Sequence, residues 1–197
     1  ADAVVIGEAE AIWPEIVDDA RHGVLKPLYK GRDRKDLKGV RFDRSVFRGK
    51  RYLPLGLVET GRGCRFPCEF CAIQTFFGQT HRRRPIDEIL AELHEIKAEK
   101  QLFFFIDDNF AGSIPLAREL AEALAPVGIR WVTQMSIDAA HDEDFVAALA
   151  KAGCRGVLIG FESLERDTLR LMQKKFNTMG GGYGPALANL RRHGIRV

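Results

Sequence analysis

The sequence predicts an α/β fold of parallel β/α units, preceded by the end of a smaller α/β piece. Three observations predict it. From Leu55 onward, short apolar runs alternate with stretches that repeat apolar residues at helical spacing. The run at residues 102–106 is wholly apolar, as in a strand buried on both faces. Polar residues follow each apolar run directly, and parallel β/α architectures gather their ligands beyond the C-terminal ends of the strands.

Taken in order, residues 3–7 are an apolar run closing on Gly7 and read as a buried parallel strand. Ile12, Ile16, Val17 and Ala20 then recur at helical spacing, with Pro14 suited to a first turn and Gly23 to a C-terminal stop. One strand and one helix do not make a domain, so residues 1–30 are expected to close an α/β domain in a chain that is an internal fragment of a longer protein. Residues 24–53 are charged and aperiodic and read as a connector. A first strand is expected at 55–59. A helix at 86–100 carries Ile86, Ile89, Leu90, Leu93 and Ile96 on one face. The second strand, 102–106, leads to a helix capped by Ser113 and running to about Ala125. A third strand at 129–135, a helix at 142–152 stopped by Gly153, and a fourth strand at 156–161 follow. Helices at 165–172 and 185–193 come next, and Ile195 opens a fifth strand. Gly180, Gly181, Gly182 and Gly184 read as a mobile loop; a phosphate cradle would follow a strand directly, and this run does not. Periodicity alone leaves both an open sheet and a barrel standing.

An apolar content of 46% with 29% charged residues suits a soluble globular chain, and no apolar stretch approaches a membrane span. The net charge of +3 is uneven. Between Lys30 and Arg51 there are ten basic and three acidic residues. This basic stretch, the linker at 31–53, could bind an anion or lie on an acidic neighbour. Few aromatics are interleaved with its charges, so nucleic acid is not an expected partner. A second basic run, His81, Arg82, Arg83 and Arg84, could guide an anionic substrate or a reductant, or form a solvated turn.

Cys64, Cys68 and Cys71 stand at C-x3-C-x2-C spacing in one short run. They bring three thiolates together and no fourth. A structural zinc site takes four ligands, and an ordinary iron–sulfur cluster takes four cysteines. Cys154 lies far away in an apolar run and reads as a small buried hydrophobe. Four cysteines in 197 residues do not suggest a disulfide scaffold, and clustered free thiols suit a reducing cytosol, so a cytoplasmic location is expected. His22, His81, His94, His141 and His193 form no ligand pair and read as surface or boundary residues.

The cysteine spacing, with an aromatic residue at Phe70 just before the last cysteine, resembles the cluster motif of the radical S-adenosylmethionine (radical SAM) enzymes. The resemblance implies a 4Fe-4S cluster on Cys64, Cys68 and Cys71 whose open iron chelates S-adenosylmethionine. It implies a partial (β/α)6 barrel over residues 54–197, holding about four units and the start of strand five. By position, Asp107, Asp108 and Asn109 match the segment that contacts the methionine amino group, although the Gly-Gly-Glu form common elsewhere in the family is absent. Glu162 and Ser163 match the contacts to the ribose or the methionyl carboxylate, Gln134 and Ser136 are further candidates, and Phe70 would pack by the adenine.

Residues 53–64, 105–110 and 160–163 together look like the class with a cobalamin-binding domain ahead of the barrel. Residues 1–30 would then be the end of that Rossmann-like domain, and cobalamin a possible third cofactor. The implied enzyme cleaves S-adenosylmethionine reductively to a 5′-deoxyadenosyl radical and transfers a methyl group through cobalamin to an unactivated carbon. A small-molecule substrate and an electron donor such as flavodoxin or ferredoxin are the implied partners. Cyclisation or rearrangement, methylthio transfer, and a non-enzymatic electron-transfer module are the alternatives.

Overall fold

A computed structural model describes residues 1–31, 36–47 and 49–197. Arg32, Asp33, Arg34, Lys35 and Arg48, all from the basic stretch, lie outside the described residues. The chain forms two compact units, Ala1–Leu37 and Lys38–Val197.

In the first unit, β1 (Val4–Ile6), α1 (Trp13–His22) and β2 (Leu28–Lys30) make one parallel β-α-β turn, with Val4 opposite Leu28. Ile12, Ile16 and Tyr29 form its small core, against which Ala3 and Val5 pack. Gly23 ends α1 at a φ of 70°, a left-handed conformation that costs glycine little, and the Val24 N–H closes the turn on the Asp19 carbonyl at 2.9 Å. One expectation is corrected. The connector at 24–53 contains a strand, β2, which buries only Tyr29 and so leaves no period in the sequence. Within this unit Val5 packs on the small core, while Val4 and Ile6 are 52% and 57% exposed.

The second unit carries β3 (Leu55–Val58), β4 (Gly61–Gly63), α2 (Ala72–Phe77), β5 (His81–Arg83), α3 (Ile86–Ile96), β6 (Leu102–Phe105), α4 (Ile114–Leu124), β7 (Trp131–Gln134), α5 (Glu143–Lys151), β8 (Cys154–Leu158), α6 (Arg166–Leu171) and α7 (Tyr183–Arg192). β3, β6, β7 and β8 pair in parallel, in that spatial order. Chain order and spatial order coincide, so the sheet grows in one direction like a barrel wall. A doubly wound sheet would reverse at a switch point. Arg196 adds the fifth position: its N–H donates to Arg155 O at 3.1 Å, and its carbonyl accepts from Val157 N at 2.8 Å.

One face of this wall is the core. Val58, Phe103, Phe105 and Trp131 pack with Ile89, Leu93, Leu120, Leu124, Phe145 and Leu149 from α3, α4 and α5. Each large side chain fully buried there contributes about 1.5–3 kcal/mol. The indole N–H of Trp131 donates to Ala152 O at 2.8 Å, so burial leaves no unpaired donor at that ring. On the other face Leu57, Ile106 and Leu158 stay half exposed.

Local details depart from the sequence reading. Ser113 stands at the N-terminus of α4 but makes no capping bond, whereas Asp142 caps α5 by accepting from Phe145 N at 2.8 Å. Cys154 lies inside β8, which starts two residues before the expected strand at 156. Residues 175–181 form 3-10 turns interrupted by non-helical backbone at Met179 and Gly180, and the glycines here have a conformational reason. Gly180, Gly181 and Gly182 have φ of 59°, 87° and 78°, and a Cβ on Gly180 would lie 2.7 Å from the His141 ring. Residues 39–44 of the basic stretch lie on the acidic face of α3: Gly39 N donates to Glu88 at 2.9 Å, Arg41 pairs with Glu95 at 3.2 Å, and Arg44 pairs with Glu92.

Candidate active site at the strand ends

The parallel wall puts the ends of β3, β6, β7 and β8 along one edge, and the cysteine loop leaves from β3. Two short strands clamp that loop. β4 and β5 pair antiparallel, Gly61 with Arg83 and Gly63 with His81, so residues 64–80 are held at both ends. Gly63 sits at a φ of 86°, where a Cβ would also collide with the Thr80 carbonyl. Cys64, Cys68 and Cys71 are all free thiols. Cys68 is buried, and Cys64 and Cys71 are partly exposed. Burial pushes the Cys68 thiol up, the Lys174 ammonium opposes this, and the neighbouring Cys64 and Cys71 raise it further. The loop is also tied from outside. Phe66 stacks on Phe176 at 3.8 Å between centroids, Arg65 pairs with Asp138, and Glu69 N donates to Met172 O at 3.3 Å. Among the described residues, no three His, Cys, Asp or Glu side chains converge on a point that could hold a single metal ion.

The residues after β6 divide into two kinds. Asp107 is 1% exposed and faces the root of the cysteine loop. Its Oδ1 accepts from Thr60 N at 2.6 Å and Gly61 N at 3.1 Å, and its Oδ2 accepts from the Thr60 hydroxyl. Arg83 closes the group, donating to Thr60 Oγ1 at 2.6 Å and lying 3.4 Å from Asp107 Oδ2. Burial pushes the Asp107 carboxyl up to about 6, against the pull of Arg83 and the donors. Asp107 therefore does not present its carboxylate at the mouth, where an ammonium contact would need it. Asp108 Oδ2 accepts from Gly63 N at 2.7 Å, and burial raises its carboxyl too. Asn109 is the residue of the three that faces a cysteine: its Nδ2 lies 3.4 Å from Cys64 Sγ and 3.1 Å from Ser136 Oγ. Gln134 donates from Nε2 to Asp107 O at 2.7 Å, which ties the end of β7 to that of β6.

After β8 the backbone turns sharply. Ser163 N donates to Phe161 O at 2.7 Å across Glu162, whose φ is +61°, a strained γ-turn for a non-glycine residue. Neighbours hold it there. Asn177 Nδ2 donates to the Gly160 and Phe161 carbonyls at 3.1 Å each, and Tyr183 donates to Ser163 O at 2.7 Å. Glu162 accepts from Lys174 Nζ at 2.7 Å. That ammonium also stands 5.7 Å from the centre of the half-exposed Phe70 ring. Glu162, Lys174, Phe70 and Cys68 thus form one neighbourhood. Ser163 Oγ accepts from Glu165 N at 3.0 Å, a local turn.

Several of these residues were not legible beforehand. Lys174 and Asn177 come from an irregular segment with no motif around them. Thr60 could have been suspected as the polar residue ending the first strand. The basic run at 81–84 resolves against both expectations for Arg83 and Arg84. Arg84 is 2% exposed and donates to Glu59 O and Glu92, each at 2.7 Å, and the nearly buried side chain of Arg83 serves the Asp107 group. Burial, with the charges of Arg83 and Arg65, pulls the His81 imidazole down to about 4. Cys154 is buried, with its thiol pushed up to about 12 by burial, as a small core residue.

A one-way parallel wall, with a three-cysteine loop leaving its first strand and polar groups at every strand end, defines the class. The chain belongs to the Radical SAM superfamily, whose family model matches residues 58–196. It is 30% identical over 204 residues to bacteriochlorophyllide d C-12(1)-methyltransferase of Chlorobaculum tepidum, a match covering 99% of this chain and 44% of that protein. The chain thus spans less than half the length of that relative. Among solved structures it resembles the cobalamin-dependent S-adenosylmethionine radical enzyme OxsB, with a TM-score of 0.73 at 17% identity over 95% of this chain and 31% of that one. It also resembles the radical S-adenosylmethionine methyltransferase TsrM of Kitasatospora setae, with a TM-score of 0.60 at 24% identity, covering 72% and 29%. No helix among the described residues is long and apolar enough to cross a membrane.

Proposed function

We propose that this chain is the cofactor-holding part of an enzyme that cleaves S-adenosylmethionine and uses it, with cobalamin, to methylate an unactivated carbon of a small molecule. The observation that carries the reading is the clamped loop with three free cysteines at the C-terminal edge of the wall. The donor set fits a 4Fe-4S cluster better than a single ion. A cluster takes each thiolate on a different iron and so needs sulfurs that are near one another without converging, whereas zinc needs a closed four-ligand shell. Cys64, Cys68 and Cys71 would hold the cluster. When bound, it supplies one electron to the sulfonium of S-adenosylmethionine, whose C5′–S bond breaks to methionine and a 5′-deoxyadenosyl radical.

The chain's own residues would bind and orient. Asp107, with Thr60 and Arg83, anchors the loop that carries the ligands. Asp108 keeps one oxygen on Gly63 N, which leaves the other for the methionine ammonium. Asn109 and Ser136 line the Cys64 side. Glu162, Ser163 and Lys174 would meet the polar part of the cofactor, with Phe70 against the adenine. Gln134 braces the β6 end. Residues 1–30 would close a Rossmann-like cobalamin-binding domain, with 31–53 as the basic linker and 54–197 as the core. Support for this comes from the parallel β-α-β turn of Ala1–Leu37 and from the share of the chain that matches OxsB. Methyl transfer is favoured over cyclisation because the relative with 30% identity is named a methyltransferase. A flavodoxin- or ferredoxin-type donor would reduce the cluster, in the cytoplasm.

The test is anaerobic reconstitution followed by iron and sulfide analysis and electron paramagnetic resonance of the reduced protein. The expected result is a cluster signal that changes on adding S-adenosylmethionine, and its loss in Cys68→Ala. A signal indifferent to S-adenosylmethionine, or full iron content in Cys68→Ala, would refute the proposal.

A further inference from the structure

We infer that Asn109 is a positioning residue that donates an N–H···S hydrogen bond to Cys64 and raises the reduction potential of the cluster held there. The inference rests on the proposed cluster site and extends it to a residue whose role is to tune that site.

The direction of the amide is set by its surroundings. Ser136 N, a backbone donor, lies 3.2 Å from Asn109 Oδ1. A backbone N–H can only donate, so it selects the oxygen of the amide and turns Nδ2 the other way. Nδ2 carries two hydrogens and has two acceptors, Ser136 Oγ at 3.1 Å and Cys64 Sγ at 3.4 Å. The flipped amide would set two donors against each other. Asn109 is 3% exposed, so water does not compete for the contact.

Both partners are also held from behind. Asp107 and Asp108 bind the backbone of Thr60, Gly61 and Gly63, immediately before Cys64. The backbone on either side of the contact is thereby tied together. Only this third position of the Asp-Asp-Asn run addresses a cysteine; the first two address the loop that carries it.

The chemical consequence follows from charge. A thiolate on a reduced cluster carries more negative charge than on the oxidised one, so a donor aimed at it stabilises the reduced state more. Hydrogen bonds to the sulfurs are among the determinants of cluster potential. Hydrogen bonds to charged groups are stronger than neutral ones, and part of that strength differs between the two states. A change of about tenfold in the ratio of reduced to oxidised cluster at fixed potential is expected when the donor is removed, or about 59 mV for one electron.

The experiment compares reconstituted wild type with Asn109→Leu and Asn109→Asp. Asn109→Leu removes donor and acceptor; Asn109→Asp keeps an oxygen for Ser136 N and loses the N–H. Iron content is measured first, then the midpoint potential by a titration followed with electron paramagnetic resonance. Both variants should keep their iron and move to more negative potential, with Asn109→Asp moving further because it adds a charge. Unchanged potentials in iron-loaded variants would overturn the inference while leaving the proposed function intact. Loss of the cluster from both variants, with the far-ultraviolet circular dichroism of the wild type, would also overturn it, since Asn109 would then be needed for assembly. A wild type that assembles no cluster overturns this inference and the proposed function together.

Discussion

Replacing Asp107 by alanine should cost this fold more stability than removing any other polar side chain of the strand ends. The carboxylate is 1% exposed and accepts from Thr60 N, Gly61 N and the Thr60 hydroxyl, with Arg83 beside it. Asp107→Ala leaves two backbone donors and a hydroxyl without that acceptor, and it leaves a nearly buried guanidinium without its countercharge. A buried unsatisfied donor costs about 1–3 kcal/mol, and breaking one side of a buried ion pair about 3–5 kcal/mol. The groups are coupled, so these costs do not add, and a total of about 3–5 kcal/mol is expected. Arg83 keeps Thr60 Oγ1 and Phe110 O, at 2.6 Å each, which limits the loss. Asp107→Asn keeps one acceptor and should lose about half as much. Urea unfolding at neutral pH, followed by far-ultraviolet circular dichroism, reads the difference. A loss below about 1 kcal/mol for Asp107→Ala, the range of an exposed ion pair, would refute the anchoring role. The same residue has a pH signature. Its folded-state pKa of about 6 lies above the ordinary 3.8, so the acid's contribution is fully present below the lower value and lost as pH rises through the higher. The advantage of wild type over Asp107→Asn should therefore grow on lowering the pH from 7 toward 4, by up to about 3 kcal/mol.

Three other changes test separate parts of the structure. His81, pulled down to about 4 from 6.5, stabilises the fold fully above the higher value and ceases to as pH falls through the lower. His81→Phe should flatten the acid limb of a stability–pH curve by about 1–2 kcal/mol, a figure reduced for the ring's partial exposure, and an unchanged limb would contradict the assignment. Gly153 holds a φ of 92° where a Cβ would collide with the Ile129 carbonyl, so Gly153→Ala should lower stability by about 1–3 kcal/mol in a thermal melt. Lys174→Met should keep the cluster while weakening S-adenosylmethionine binding about tenfold in equilibrium dialysis, the loss of one charge-assisted hydrogen bond; equal affinity would remove Lys174 from the site.

The elements and the cysteines were legible in the chain because their signals are local. The apolar run of β6 and the one-sided pattern of α3 reflect which face each element buries, and that pattern is written residue by residue. The loop of Cys64, Cys68 and Cys71 is legible because its three thiols fall within one eight-residue run of the chain. β2 and the β4–β5 clamp were not legible. They are three residues long and carry no hydrophobic period, so only pairing with a partner makes them strands.

The roles of polar residues needed the tertiary structure. Asp107, Asp108 and Asn109 are adjacent and alike in polarity, and position alone assigned all three to one ligand. Successive residues of an extended segment point in different directions. Asp107 consequently turns into the loop root, while Asn109 turns to Cys64. The arginines at 83 and 84 show the same limit: a basic run reads as solvated until its partners, Asp107 and Glu92, arrive from segments 24 and 8 residues away. By itself the sequence determined the parallel β/α class, the three-cysteine loop and the edge where the polar residues of the strand ends gather, since these depend on periodicity and spacing. Only the tertiary structure decided the one-way strand order, the clamp on the loop, and which polar groups brace the site rather than face it, because each of those depends on contacts between residues far apart in the chain.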